Sequence, residues 1–181
     1  LVEPDGTGWM AGDRRIIQGS TSMVIAQPKI YQQGPILIGV TGTTEVIELT
    51  RRCSSDLDYN LDQSDVDSYL WNALIPGLRK DGKERGIMGT KDGCDFLAGD
   101  FLIFGAGGLW FGSNMTVADR LAHCFFAIGS GKAAALGALY STSESGLCQA
   151  MPHRDTRKRL LVALRAAAAW EVDCGPPFDI L

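Results

Sequence analysis

GWMAGDRR, residues Gly8 to Arg15, begins with the residues of a buried strand and runs straight into a charge. Trp9, Met10, Ala11 and Gly12 suit an apolar strand, and Asp13 follows with no polar residue before it. A carboxylate at the tip of such a strand needs a partner, because desolvating an unpaired charge is costly. Lys29, set between Ala26 and Ile30 in the next apolar stretch, has the same problem with the opposite sign. Pairing the two at one end of adjoining strands answers both. On residue types alone, such a pair is either a structural salt bridge or part of a reactive centre.

Working outward, Val2 to Asp5 reads as the end of a strand that turns at Pro4-Asp5-Gly6, so Thr7–Asp13 forms the second arm of a hairpin. The chain opens at Leu1 rather than at a methionine, a few residues ahead of this hairpin, and is expected to lack its first few residues. Downstream, MVIAQPKIY (Met23–Tyr31) is expected as a third strand broken near Pro28. GPILIGVTG (Gly34–Gly42) is apolar on both faces and reads as a central strand. TTEVIELTRR reads as a helix with Val46, Ile47 and Leu49 on its apolar side.

The acidic stretch from Arg51 to Asp67 is expected as a surface connection with an N-cap at Ser64. A second helix carries Val66, Tyr69, Leu70, Ala73 and Leu74 and is expected to be disturbed at Pro76-Gly77. KDGKERGIMGTKDG (Lys80–Gly93) reads as a mobile loop. Strands are expected in CDFLAGD, FLIFGAGGLWFG and CFFAIGSG, then a small-residue helix in KAAALGALYS. The last helix, DTRKRLLVALRAAAAWE, is expected to be capped by Asp155 or Thr156 and to bury Leu160, Leu161, Leu164 and Ala168. CGPPFDIL closes the chain as a turn and a short strand. Strands, helices, strands, helices, strand is not the alternation of a parallel doubly wound sheet; it suits antiparallel sheets with helices outside them. We see one domain over residues 1–181, with no internal repeat.

A net charge of −4 argues against a nucleic-acid or anionic-membrane surface, and no apolar run is long enough to span a bilayer. The cluster Arg154, Arg157, Lys158, Arg159 reads as a solvated helix face. Five cysteines without a CxxC pair, and two distant histidines, His123 and His153, make a zinc site unexpected; reduced thiols in a cytosolic protein fit the pattern. GSGK at Gly129–Lys132 lacks the phosphate-loop glycine, having Phe126 at that position, and has Ala133 where Ser or Thr is needed. The glycines of GAGGLWFG (Gly105–Gly112) sit in a hairpin without the helix that would aim amides at a pyrophosphate. No G-x-S-x-G elbow accompanies either histidine, so a Ser-His-Asp triad has no support.

DGTGWMAGDRR, PKI, ILIGVTGTTEV, FFAIGSGKAAALGALY and a helix leading into CGPPFDIL occur in an order that resembles the proteasome β-subunit/HslV group of N-terminal-nucleophile (Ntn) hydrolases. More narrowly, the chain is similar to the small proteasome-like peptidases of bacteria and their phages. The likeness spans most of the chain and is weakest between Cys53 and Cys94. It implies an α+β fold, a four-layer αββα sandwich of two antiparallel sheets. It also implies a threonine at the mature N-terminus, whose hydroxyl attacks a peptide carbonyl while its α-amine takes the proton. Counting back from Asp13 by the family's spacing puts that threonine about four residues before Leu1.

Carried over residue by residue, Asp13 and Lys29 are the carboxylate and the cation beside the nucleophile, Gly42 supplies the oxyanion-hole amide, and Ser130 supports the amine. Glu171 and Cys174 stand where the family has an aspartate and a serine. Ile16, Gln27, Tyr31 and Glu45 are the corresponding substrate-pocket positions. The resemblance implies no cofactor, a ring or spiral of like subunits, peptide or unfolded-protein substrates, an AAA+ unfoldase partner by analogy, and the cytoplasm of a bacterial or phage-infected cell. Two other outcomes share the fold: a non-catalytic scaffold subunit, and an Ntn amidohydrolase acting on a small amide.

Overall fold

The computed structural model describes residues 1–18, 20–55, 66–114, 117–142 and 155–181. In chain order these form β1 (Ala11–Asp13), β2 (Arg15–Gln18), β3 (Thr21–Val24), β4 (Ile30–Gln33), β5 (Ile36–Gly42), α1 (Thr44–Ser55) and α2 (Val66–Tyr69). A π-helical stretch (Leu70–Leu74) leads into α3 (Ile75–Glu84). Then come β6 (Gly89–Lys91), β7 (Cys94–Phe96), β8 (Gly99–Gly105), β9 (Gly108–Ser113), β10 (Val117–Arg120), α4 (Lys132–Ser141), α5 (Thr156–Trp170) and β11 (Phe178–Ile180).

β5 explains the layering. Successive side chains of a strand point to opposite faces, and here both faces are covered. Ile36, Ile38 and Val40 join one apolar cluster, while Leu37 joins another. β8 repeats the pattern, with Phe101 and Ile103 on the first side and Leu102 and Phe104 on the second. These strands sit in an antiparallel sheet of order β10-β9-β8-β5-β4. Its first face packs against α1, α2, the π-helical stretch and α3 through Val46, Leu70, Leu74 and Leu78. Its second face meets Met10, Val2, Phe126 and Ile128 of another extended layer. That layer in turn packs on α4 and α5 through Leu1, Phe125, Leu139, Leu160, Ala163 and Ala167. The order is helix, sheet, sheet, helix: the αββα sandwich expected from the sequence.

The second extended layer is stitched from distant pieces. Val2 pairs with Gly8, and the Val2 N–H donates to Cys124 O at 2.6 Å. β1 pairs with β11, and Met10 and Leu181 exchange two backbone bonds of 3.0 and 2.9 Å. The turn at Pro4–Gly6 forms as expected, with Gly6 at φ 87° and Asp5 Oδ1 accepting the Thr7 N–H at 2.9 Å.

Several local expectations are corrected. Lys80–Gly93 is not a loop: α3 runs to Glu84, and β6 and β7 form a hairpin. Asp92 and Gly93 take φ of 52° and 77° in its two-residue turn, the paired left-handed geometry that Asp-Gly favours. The expected disturbance at Pro76-Gly77 takes the form of a π-helical turn just before the proline, and α3 continues through it. That turn, closed by Ile75 N–H to Leu70 O, shifts the ladder where proline's missing N–H would interrupt it. Met23–Tyr31 divides into β3 and β4, which belong to different sheets. Asp155 stands at the N-cap of α5 as expected, though without a side-chain capping bond, and the Thr156 hydroxyl donates to the buried Glu3 carboxylate. The buried stripe of α5 is Thr156, Leu160, Ala163 and Ala167, rotated from the expected one because α4 lies against small residues. Cys124 is disulfide-bonded, which overturns the expectation of reduced thiols throughout; Cys53, Cys94 and Cys174 are free. The expected cap at Ser64, along with His153 and Arg154, lies outside the described residues.

Candidate active site

The ladder between β1 and β11 directs β1's other backbone groups. Met10 exchanges bonds with Leu181, so in an antiparallel pair Gly12 faces Asp179 while Ala11 and Asp13 turn their N–H and C=O away from β11. On that side lies a cleft with a volume of about 430 Å³. One wall is Met10–Asp13, the other is Phe126–Gly131, and apolar residues of α4 and α5 line it below.

Charge gathers at one end. Lys29 Nζ donates to Asp13 Oδ1 at 2.8 Å, and the two side chains are only 16% and 12% exposed. The second carboxylate oxygen of Asp13 accepts the Gly175 N–H at 3.2 Å. Lys29 is fixed by its own backbone, whose carbonyl accepts the Val40 N–H at 3.0 Å and so registers it against β5. The next residue after Asp13 fastens this corner: Arg14 forks onto both oxygens of Asp179 at 2.7 and 2.6 Å.

Ser130 Oγ and Cys174 Sγ lie 3.6 Å apart across the same cleft. They are brought there by Gly131, at the N-cap of α4. A Cβ on Gly131 would come within 2.6 Å of Ala167 Cβ and 2.9 Å of Cys174 Sγ, so only glycine lets the start of α4 sit this close to α5. Gly42, at the end of β5, has φ 132°, and a Cβ there would lie 2.6 Å from the Ala98 carbonyl oxygen. Its backbone thus reaches the cleft in a conformation closed to other residues.

Asp13, Lys29, Gly42, Ser130, Cys174 and Ile16 all line this one cleft. Glu171, Gln27, Tyr31 and Glu45 do not. Glu171 is the C-cap of α5. The Tyr31 ring packs on the helical side of the sheet under the Arg51 guanidinium, and its hydroxyl accepts from Ser54 at 3.3 Å. Burial pushes its phenol well above the usual range. Glu45 sits exposed in the first turn of α1, where its own backbone N–H and the Thr43 side chain hold its carboxyl below the usual range. Gln27 is exposed. Arg15, Ile17 and Asp173 line the cleft without having been singled out from the sequence. Arg15 and Ile17 could have been found from strand alternation beyond Asp13, whereas nothing local marks Asp173. Among the described residues no three His, Cys, Asp or Glu side chains are gathered as metal ligands.

Leu1 is buried in the cluster that packs on α4 and α5. Its amine donates to Trp9 O at 2.8 Å. Burial, reinforced by the Arg159 charge, lowers an amine there from 8.0 to about 5.

No family model and no curated protein matches this sequence. Solved structures do. BPH from Thiobacillus denitrificans, in complex with epoxomicin, has a TM-score of 0.76 and 23% identity over 99% of this chain and 94% of its own. Eukaryotic HslV from Trypanosoma brucei has a TM-score of 0.65 and 18% identity over 99% of this chain and 95% of its own. Anbu from Pseudomonas aeruginosa, a complex with a helical assembly, has a TM-score of 0.70 and 17% identity over 96% of this chain and 75% of its own. These are proteasome-like proteins with the Ntn-hydrolase sandwich, and the chain described above has that fold.

Proposed function

We propose that this chain is a proteasome-like threonine peptidase working in an assembly of like subunits, with a threonine upstream of Leu1 as its nucleophile. One observation carries the proposal: the paired Asp13 and Lys29 line a trench along which Ala11 and Asp13 turn their backbone groups away from β11. Val2 faces Gly8 and Leu1 faces Trp9. Each residue upstream therefore advances one position along β1, past Met10, Ala11 and Gly12, and the fourth comes abreast of Asp13. The trench would accept these residues as one more strand, ending among Lys29, Ser130 and Cys174.

The chemistry follows from that position. The threonine hydroxyl attacks the peptide carbonyl, its proton passes to the threonine α-amine, and an ester to the enzyme forms as the C–N bond breaks. The departing amine takes that proton, and water then cleaves the ester. An α-amine titrates near 8, and the Lys29 ammonium favours its neutral, basic form. Asp13 holds Lys29 in place. The Gly42 amide is the candidate donor to the developing oxyanion. Assembly is supported by the fold, which it shares with an Anbu complex solved as a helical assembly.

The test is the chain with its native upstream residues. Its mature N-terminus, read by intact mass, should be threonine. It should hydrolyse short peptides, elute far above 19.5 kDa, and form a complex with epoxomicin. Lys29→Ala should lower kcat by at least about a thousandfold, the scale expected when a group acting at the reacting atoms is lost. Full turnover in that variant removes Lys29 from the mechanism, and a mature N-terminus without Thr, Ser or Cys leaves a scaffold subunit. Cleavage of small amides but not peptides would point to an amidohydrolase.

The trench also makes a pH prediction. An amine whose folded value lies below its unfolded value favours the native state at high pH, and this contribution is lost as pH falls through the interval between the two. A chain cut at Leu1 should lose stability from about pH 8 down to about pH 5, the interval given by its lowered amine. A chain with upstream residues has an amide there and should show no such loss. Identical pH profiles for the two would count against the trench as a strand site.

A further inference from the structure

We infer that Asp173 selects peptides carrying a lysine or arginine side chain next to the scissile bond. This rests on the peptidase reading above. The charged side chains lining the cleft are Asp13, Lys29, Arg15 and Asp173. Asp13 and Lys29 neutralise each other at 2.8 Å. Arg15 is held at the rim: its Nη1 donates to Val172 O at 3.3 Å, and its guanidinium lies so close over Gly175 that a Cβ there would be 2.6 Å from Cζ. Asp173 makes no ion pair among the described residues and is partly exposed.

It therefore adds a negative charge at the end of the cleft where the proposed strand stops, beyond the apolar walls that the strand would cover. A partly exposed charge attracts an opposite one and concentrates the ligand that carries it. Asp173 directly precedes Cys174, whose thiol contacts Ser130, and Gly175, whose N–H binds Asp13. A cation drawn to it lies beside the reacting end of the trench rather than at its far end. Glu171, two residues earlier, does not line the cleft and serves as an internal control.

The experiment uses the full chain with its upstream residues and matched peptides that differ only in lysine, norleucine or glutamate on either side of one scissile bond. Cleavage rates and, with a non-hydrolysable version of each peptide, binding are both measured. The lysine peptide should be favoured about fivefold in kcat/KM and in affinity, the scale of a partly exposed ion pair. The preference should shrink as salt is raised, vanish in Asp173→Asn, reverse toward glutamate in Asp173→Lys, and persist in Glu171→Gln. Cleavage without a lysine preference, or a preference that survives in Asp173→Asn, overturns the inference and leaves the peptidase reading intact. Binding that shows the Asp173-dependent preference without any cleavage supports the inference and removes the peptidase reading instead.

Discussion

The two extended layers of this molecule are built to different standards. The five-stranded sheet runs in unbroken antiparallel register, with β5 buried on both faces. The layer facing it is pieced together from β1, β11, one bridge at Val2 and the segment around Cys124, and it leaves a strand edge open along the cleft. The first layer supplies rigidity. The second carries Asp13, Ser130 and Cys174 of the candidate site and is registered on the first, which supplies Gly42 and holds Lys29 against β5, and on which Met10 packs at Gly39. A discontinuous layer registered on a continuous one gathers groups from distant parts of the chain in one place.

The comparison can be broken most severely from the regular side. Phe101→Ala, at a fully buried position between sheet and helices, should lower unfolding free energy by about 4 kcal/mol, read by chemical denaturation. A loss under about 1 kcal/mol would mean that this sheet is not the stabilising layer. Gly42→Ala lies at the junction of the two layers. It should cost about 2 kcal/mol through backbone strain and contact with the Ala98 carbonyl, and should depress peptide hydrolysis more than stability alone explains. Asp13→Asn touches only the irregular layer. It should cost about 1 kcal/mol, since it leaves a mostly buried lysine without its counter-charge, while activity falls at least about a hundredfold. A stability loss as large as that of Phe101→Ala would make the ion pair chiefly structural.

Much of the architecture was legible because it rests on periodicity. β5 and β8 bury both faces and read as continuous apolar runs, and α5 reads as a helix of the right length. The pair Asp13–Lys29 was legible because two charges in apolar surroundings each demand an explanation. What stayed hidden depends on distance in the chain. Nothing near Asp173 or Gly175 signals that the first lines the cleft beside β1 and the second bonds to Asp13, and no local pattern tells Tyr31 which face of the sheet to join. The β6–β7 hairpin was hidden for a different reason: its Asp-Gly turn is a strong signal, but it lay in a stretch whose charges suggested only solvent. The rotation of the α5 stripe follows from the alanines of α4 and α5, which set the depth of approach through shape rather than hydrophobicity.

One contact has a bearing on biosynthesis. Asp13 is made early, yet its second oxygen is satisfied by the amide of residue 175, and the neighbouring arginine is clamped by residue 179. A ribosome still translating α5 therefore holds a nascent chain whose carboxylate has Lys29 but not yet the Gly175 amide. The reactive corner can close only after the polypeptide has been made beyond Asp179, so a partly synthesised copy should be inert toward its neighbours in the cell.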